Sequence, residues 1–227
     1  AANVTLTIDG GANTTSTTFS GIIGQTTITG INPFNNNTPF LNHVHATNNI
    51  SVVKTGNTTQ VFTGVNAYAG NTTINGGVLV LGRVFGTQAS PPVLAATHNT
   101  VAGSIVVNSG GTLATPGGGS YWAPAAVTGT RITSNAGILT PGGTGIGGNN
   151  PTLASTIGGL YANALTLNAG SVEKIDVFSR ISYDSIKITN DVTLGSGVHT
   201  IDVTGVPGST GFFPIITFGS LSDPGAT

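Results

Sequence analysis

Short β-type segments separated by glycine and asparagine constrain this chain more than any other feature. In residues 51–82, runs rich in Val, Ile, Thr and Phe suit a pleated surface, and the Gly and Asn between them tolerate turn conformations. No run is long enough to form a stable sheet by itself. We therefore expect each segment to persist only by stacking on a similar one, as in a solenoid. The strands predicted here are 51–54, 59–63, 72–74 and 78–81.

An Asn-x-Gly turn recurs at four places along the chain, at unequal intervals. Unequal intervals are typical of a solenoid in which each coil keeps its turn and tolerates insertions elsewhere. The asparagines of successive coils can stack as an amide ladder, and the glycines beyond them can supply positive φ. The turn and ladder residues predicted in this way are Asn75, Gly77, Asn108, Gly110, Asn135, Gly137, Asn168 and Gly170.

The central stretch also carries a family resemblance. Its parts are Lys54-Thr55-Gly56, then FTGVNAYAG at residues 62–70, then TTINGGVL at residues 72–79. In this order they resemble the passenger-associated strand repeat of bacterial autotransporters, which reads roughly K-T-G, L-S-G-x-N-x-Y-x-G and T-T-I-x-x-G-x-L. Residues 183–188 and 212–220 resemble the end of such passengers, the region that usually closes the β-helix.

The resemblance implies an all-β, single-stranded, right-handed parallel β-helix that is exported and displayed outside the cell, without catalytic residues or cofactors. We expect one β-solenoid domain over residues 1–227, with about ten coils stacked ~4.8 Å apart. Its expected parts are N-terminal strands at 1–30, an excursion at 31–50, a repeat body at 51–172 with excursions at 83–103 and 117–130, and C-terminal capping coils at 173–227.

The composition favours a location outside the cell. Charged residues are only 6% of the chain, against roughly 25% in ordinary globular proteins. The net charge of −1 gives no electrostatic basis for binding nucleic acid, and no apolar run reaches the roughly 20 residues of a membrane-spanning helix. The first residues, Ala-Ala-Asn, resemble a chain end left by signal-peptide cleavage. We expect an exported protein, extracellular or at the cell surface of a bacterium.

Candidate sites for chemistry are few, because the absence of cysteine excludes thiolate metal sites and Cys nucleophiles. Asp176, Asp184 and Asp191 form the best acidic group, but Arg180 and Lys187 lie among them, which favours mutual neutralisation on a solvated face. His43 and His45 are spaced for a common side of a strand, yet two histidines alone are a weak metal signal. The aromatic pair at 121–122 could stack on a sugar or cover a flank of the solenoid.

The sequence therefore predicts a non-enzymatic structural protein that self-assembles into a surface fibre or layer. A solenoid has open ends, and a chain with few charges has little that opposes association. The strand that alternates Val4, Leu6 and Ile8 with polar residues could add to a neighbour's sheet. The partner expected from these features is thus a second copy, and a surface polysaccharide is the alternative partner. Two alternatives stay open: an autotransporter adhesin passenger and a polysaccharide-active β-helix enzyme.

Overall fold

The chain forms a parallel β-helix in the computed structural model, as the sequence predicts. The structure describes residues 4–10, 16–19, 23, 49–62, 68–81, 103–115, 125–126, 131–142, 158–179, 182–205 and 212–222, and of 125–126, 178–179 and 182 it describes the backbone alone. These residues contain twenty strands and no helix. It follows that no helix in the described part is long and apolar enough to cross a membrane.

The strands are short because a turn residue interrupts each apolar run. One such turn follows the third strand, where Gly56 adopts a φ of 67°. In chain order the strands are β1 (Val4–Asp9), β2 (Thr17–Phe19), β3 (Ile50–Thr55), β4 (Thr59–Phe62), β5 (Thr72–Ile74), β6 (Gly77–Leu81), β7 (Ile105–Asn108), β8 (Gly111–Ala114), β9 (Ala125–Ala126), β10 (Arg131–Asn135), β11 (Ile138–Thr140), β12 (Gly159–Ala162), β13 (Ala164–Leu167), β14 (Val172–Ser179), β15 (Ser182–Tyr183), β16 (Ser185–Ile188), β17 (Asp191–Leu194), β18 (Thr200–Thr204), β19 (Ile216–Thr217) and β20 (Ser220–Ser222).

Three sheets run along the helix axis. Sheet A has the order β1-β3-β5-β7-β10-β13-β17-β20, sheet B the order β2-β4-β6-β8-β11-β14-β18, and sheet C the order β9-β12-β16-β19. Every strand pairing among the described residues is parallel except that of β14 with β15, a local hairpin. From β7 onward the chain passes from sheet A to sheet B to sheet C and back to sheet A, whereas the described strands before β7 alternate between sheets A and B. Each circuit adds one coil.

Sheet A contains eight strands among the described residues, one from each coil. Strands that are neighbours in the sheet can be far apart in the sequence: Val4 and Ile50 are register partners, although residues 5–49 lie between them. Residues 191–204 form part of a coil rather than a hairpin, since β17 belongs to sheet A and β18 to sheet B.

The core consists of columns of side chains that point inward from successive coils. One column in sheet A runs through Leu6, Val52, Thr72, Ile105, Ile132, Leu165, Val192 and Leu221. The six inner members are at most 3% exposed, whereas Leu6 is 38% and Leu221 is 51% exposed. Each coil thus buries the apolar face of its neighbour, and the two end coils keep one face uncovered.

Candidate functional site

The four predicted asparagines form a continuous amide ladder at the corner between sheets A and B. The Nδ2 of Asn108 donates to Oδ1 of Asn75 at 2.7 Å, that of Asn135 to Asn108 at 3.0 Å, and that of Asn168 to Asn135 at 2.6 Å. The ladder ends at Asn168 because Gly195, which follows in the next coil, has no side-chain amide. A Cβ on Gly195 would lie 2.6 Å from Oδ1 of Asn168. The structure therefore brings all four side chains together.

The glycines of these turns fill the predicted role at three of four positions. Gly77, Gly110 and Gly170 have φ values of 65°, 85° and 81°. Gly137 is an exception: the positive φ of its turn, 55°, falls one residue earlier on Ala136. Gly137 is needed for a different reason, since a Cβ there would lie 2.6 Å from the carbonyl oxygen of Val107 in the coil beneath.

Lys54 is a buried lysine that joins two turns. Its Nζ donates to the carbonyl oxygens of Thr55 at 2.5 Å, Gly56 at 3.2 Å and Gly76 at 3.3 Å. Burial lowers the pKa of Lys54, and the negative charge of Asp9 opposes that shift. Since Gly56 and Gly76 belong to successive coils, the ammonium group holds their turns together.

Tyr68 and Gly70 fix the corner that leads into β5. Tyr68 is fully buried, its Oη lies 2.6 Å from Oγ1 of Thr72, and burial raises its pKa to about 12. The N–H of Gly70 donates to the carbonyl oxygen of Ile50 at 3.1 Å. A Cβ on Gly70 would lie 2.3 Å from that oxygen, so only glycine allows the two coils to approach this closely.

The three residues predicted for self-assembly lie in β1, at one end of sheet A. Val4 and Leu6 are exposed, whereas Ile8 is half-buried against the core. The opposite end of the helix exposes a second apolar set, made up of Ile201, Val203, Phe212, Phe218 and Leu221. The two ends of the described helix are therefore its most apolar exposed surfaces.

The acidic group was predicted to lie on a solvated face, and for Asp184 that prediction is wrong. Asp184 is buried, and its carboxyl oxygens accept hydrogen bonds from the backbone N–H groups of Gly158 at 2.6 Å and Asp176 at 2.9 Å. Burial raises its pKa to about 8, against the lowering effect of those two hydrogen bonds. Asp191 lies elsewhere, in sheet A, where it accepts a hydrogen bond from the Ser220 hydroxyl. The three aspartates therefore do not form one cluster.

Sequence reasoning missed Glu173, which is fully buried in β14. Burial raises the pKa of Glu173 to about 7, while His199 lowers it. A usable signal was present, because strand alternation puts Glu173 on the same side as Ile175 and Val177, which are both buried. Asp184 alternates in phase with Ile186 and Ile188, which are both buried, so alternation likewise indicates an inward position for Asp184.

Sequence reasoning also missed a second amide contact, which joins two asparagines only. Nδ2 of Asn190 donates to Oδ1 of Asn163 at 2.8 Å, at the corner between sheets C and A. The signal was an asparagine just before the sheet A strand in each of two successive coils.

The repeat-like motif of the sequence thus supplies the buried lysine, the buried tyrosine and the closely stacked glycines of one pair of coils. Residues 52–81 match the family model described as Passenger-associated-transport-repeat. The resemblance stated from the sequence is confirmed over these residues, which span most of β3 to β6. No curated protein and no solved structure gives a significant match to the chain.

The passenger-associated transport repeat points to an autotransporter passenger-type protein of the cell surface or extracellular space. The contacts above explain its lysine and glycines as structural residues that bind one coil to the next, and its tyrosine as a residue that fixes a corner within one coil. Among the described residues no group of His, Asp and Glu could hold a metal ion. The predicted candidates His43, His45, Tyr121, Trp122 and Arg180 lie outside the described residues.

Proposed function

We propose that this chain is a non-enzymatic extracellular structural protein that assembles head to tail through the two open ends of its β-helix. The observation that carries the proposal is the sheet A column, whose inner members are buried while Leu6 and Leu221 at its ends are exposed. A second copy that stacks Leu221 onto Leu6 would continue this column with the same spacing and the same chemistry.

Strand direction supports a head-to-tail contact. All strands of sheet A are parallel, so β20 of one copy and β1 of the next run the same way when the copies share an axis. Within the described part of the chain, β1 and β20 each have one edge without a β partner. Two different surfaces would meet, and such heterologous contacts produce open filaments unless a rotation closes them.

The energetics favour association that depends on concentration. The inward residues at the two ends that stacking would cover are Val4, Leu6, Phe19, Ile201, Val203 and Leu221. Covering the exposed remainder of each contributes about 1 kcal/mol, and the lost translational and rotational freedom costs about 4–15 kcal/mol. Backbone hydrogen bonds between β20 and β1 add to the favourable side. We therefore expect reversible filaments that grow as the protein is concentrated.

Complementary end variants test the proposal. Leu6→Asp places a charge at one end and Leu221→Asp at the other, and each variant alone should stay monomeric in sedimentation velocity runs. A mixture of the two should form dimers and nothing larger, because each retains one intact end of opposite kind. Thr5→Asp, an exposed position in the same strand, is the matched control and should polymerise like the unmodified chain. Monomers at all concentrations in the unmodified protein would refute the proposal.

The buried acids support a structural rather than a catalytic role. Asp184 is engaged by two backbone N–H groups, and Glu173 is fully buried. Glycoside hydrolysis requires two carboxyl groups that reach the same substrate bond from within a cleft. Turnover of an acidic polysaccharide that is lost in Asp184→Asn would favour the enzymatic alternative instead.

A second candidate function, adhesion to a neutral polysaccharide, is favoured by the outer face of sheet A. A column of half-buried Val and Thr side chains stands beside the amide ladder, at Val53, Thr73, Val106, Thr133, Thr166 and Thr193. Hydroxyl and amide groups repeated every ~4.8 Å can exchange hydrogen bonds with glycan hydroxyls.

Co-sedimentation with cellulose tests this candidate. Thr133→Asp should weaken binding, whereas Thr112→Asp, at an outward position of sheet B, should not. Equal binding by both variants, or none by the unmodified protein, would reject it for this polysaccharide.

A further inference from the structure

A carboxyl group interrupts a column of leucines inside the β-helix. Leu79, Leu113, Leu139, Glu173 and Ile201 occupy successive register positions of sheet B. Glu173 is fully buried, and neither of its carboxyl oxygens has a hydrogen-bond partner among the described residues. A buried carboxylate without partners is costly, and such a group responds by taking up a proton.

His199 borders the same region from the turn that precedes β18. Its Nε2 lies 2.9 Å from the carbonyl oxygen of Gly195 and donates to it. The other ring nitrogen, Nδ1, is buried and has no partner among the described residues. A cavity of about 580 Å³ is lined by both Glu173 and His199 and by apolar side chains of β13, β17 and residues 212–218.

No other ionisable group among the described residues lines this cavity. Leu139 and Ile201, the register neighbours of Glu173, are apolar. Lys174 and Asp202 are paired at the next register position, where the side chains point to the opposite face of the sheet and are exposed. His199 is therefore the ionisable group that shares this apolar cavity with Glu173.

We propose that protonated Glu173 lets β18 close onto β14 and that ionised Glu173 releases β18, so that pH controls the apolar end of the helix formed by this strand. The release of β18 stands on the geometry of the monomer. Its effect on polymerisation rests on the proposed function, since Ile201 and Val203 of β18 belong to the docking end.

The pH range follows from the pKa of Glu173, which burial raises from 4.5 to about 7. Between pH 4.5 and about pH 7, Glu173 is protonated in the closed form and ionised in the open form. Each pH unit then favours opening about tenfold, and the opening constant rises up to about 300-fold in total. Below pH 4.5 both forms are protonated and above about pH 7 both are ionised, so the dependence levels off on either side.

Hydrogen exchange of the full-length chain between pH 4.5 and 8 tests the monomer step. Protection of the β18 amides, corrected for the intrinsic exchange rate, should fall by up to about 300-fold up to pH 7 in the unmodified protein. The fall should be smaller in Glu173→Gln, and in Glu173→Leu, which continues the leucine column, because both variants lack the carboxyl group. Lys174→Gln, an exposed neighbour, is the control and should behave like the unmodified protein.

Two outcomes overturn the inference: the same pH dependence of β18 protection in the unmodified protein and Glu173→Gln, or no pH dependence in the unmodified protein. If Glu173→Gln fails to fold, Glu173→Leu decides in its place. Sedimentation at pH 5.5 and 8 separates this inference from the proposed function. Glu173-dependent opening without oligomers at either pH supports the switch and refutes head-to-tail assembly, whereas oligomers with pH-independent β18 protection do the reverse.

Discussion

Replacing one asparagine of the amide ladder should lower the free energy of unfolding more in the middle of the ladder than at its end. Asn135 is half-buried, donates to Asn108 at 3.0 Å and accepts from Asn168 at 2.6 Å. Asn75 is exposed and, within the ladder, only accepts the hydrogen bond from Asn108 at 2.7 Å. Asn135→Ala therefore breaks two hydrogen bonds and Asn75→Ala breaks one, and neither substitution changes the charge.

The expected loss follows from the number of bonds and from burial. A hydrogen bond contributes about 0.5–1.5 kcal/mol net, and a partner left unpaired in a buried place costs more than one that water can reach. We expect Asn135→Ala to lower the free energy of unfolding by about 2 kcal/mol and Asn75→Ala by about 0.7 kcal/mol. In a protein of this size the first change lowers Tm by roughly 6 °C.

Urea unfolding followed by circular dichroism, at one pH and one ionic strength, measures both losses. The double variant Asn108→Ala/Asn135→Ala should lose about 1 kcal/mol less than the sum of the single variants, because the two residues share a hydrogen bond. Equal losses for Asn135→Ala and Asn75→Ala would refute the view that the stacked amides stabilise the coils.

Three further predictions concern other structural residues of the β-helix. Gly77→Ala should lower the free energy of unfolding by about 3 kcal/mol and Gly110→Ala by about 1 kcal/mol. Both glycines have positive φ, but only a Cβ on Gly77 would collide, at 2.4 Å from the Thr58 carbonyl oxygen. Equal losses in urea unfolding would contradict this. Tyr68→Phe should cost about 1–3 kcal/mol because it leaves the buried Thr72 hydroxyl without its partner, and Tyr68→Phe/Thr72→Val should recover part of that loss in calorimetry. Asp184 has a pKa raised from 3.8 to about 8, so its contribution to the free energy of unfolding is fully present below pH 4 and is lost as the pH rises to 8. The urea midpoint should therefore fall less between pH 5 and 8 in Asp184→Asn than in the unmodified chain. Parallel curves for the two proteins would show that Asp184 is ionised throughout.

Local pattern was sufficient to predict the repeating parts of this fold. The Asn-x-Gly turns led to the four ladder asparagines, since a turn that recurs in every coil must stack on its copies. The failures occurred where two coils meet. Gly137 has its role through contact with Val107 of another coil, and Ala136 takes the positive φ instead. The sequence shows the turn but not which backbone lies against it.

The acidic residues show the same limit from the side of electrostatics. An acid between basic residues in a polar strand is usually solvated, which is why Asp184 was predicted to be so. Strand parity pointed inward, but a side chain at an inward position is buried only when further coils cover it. Whether Glu173 lies in a closed column therefore depends on β11 and β18, which come from distant parts of the chain.

The sequence alone determined the short strands, the turns and the repeat that stacks them, because these depend on the alternation and turn chemistry of neighbouring residues. Only the tertiary structure decided which coils are neighbours, since insertions of unequal length separate strands such as β1 and β3 that lie side by side. It also decided which apolar side chains remain exposed at the ends and which charged groups are buried. A side chain is buried by the coil that stacks on it, and that coil is formed by a different segment of the chain.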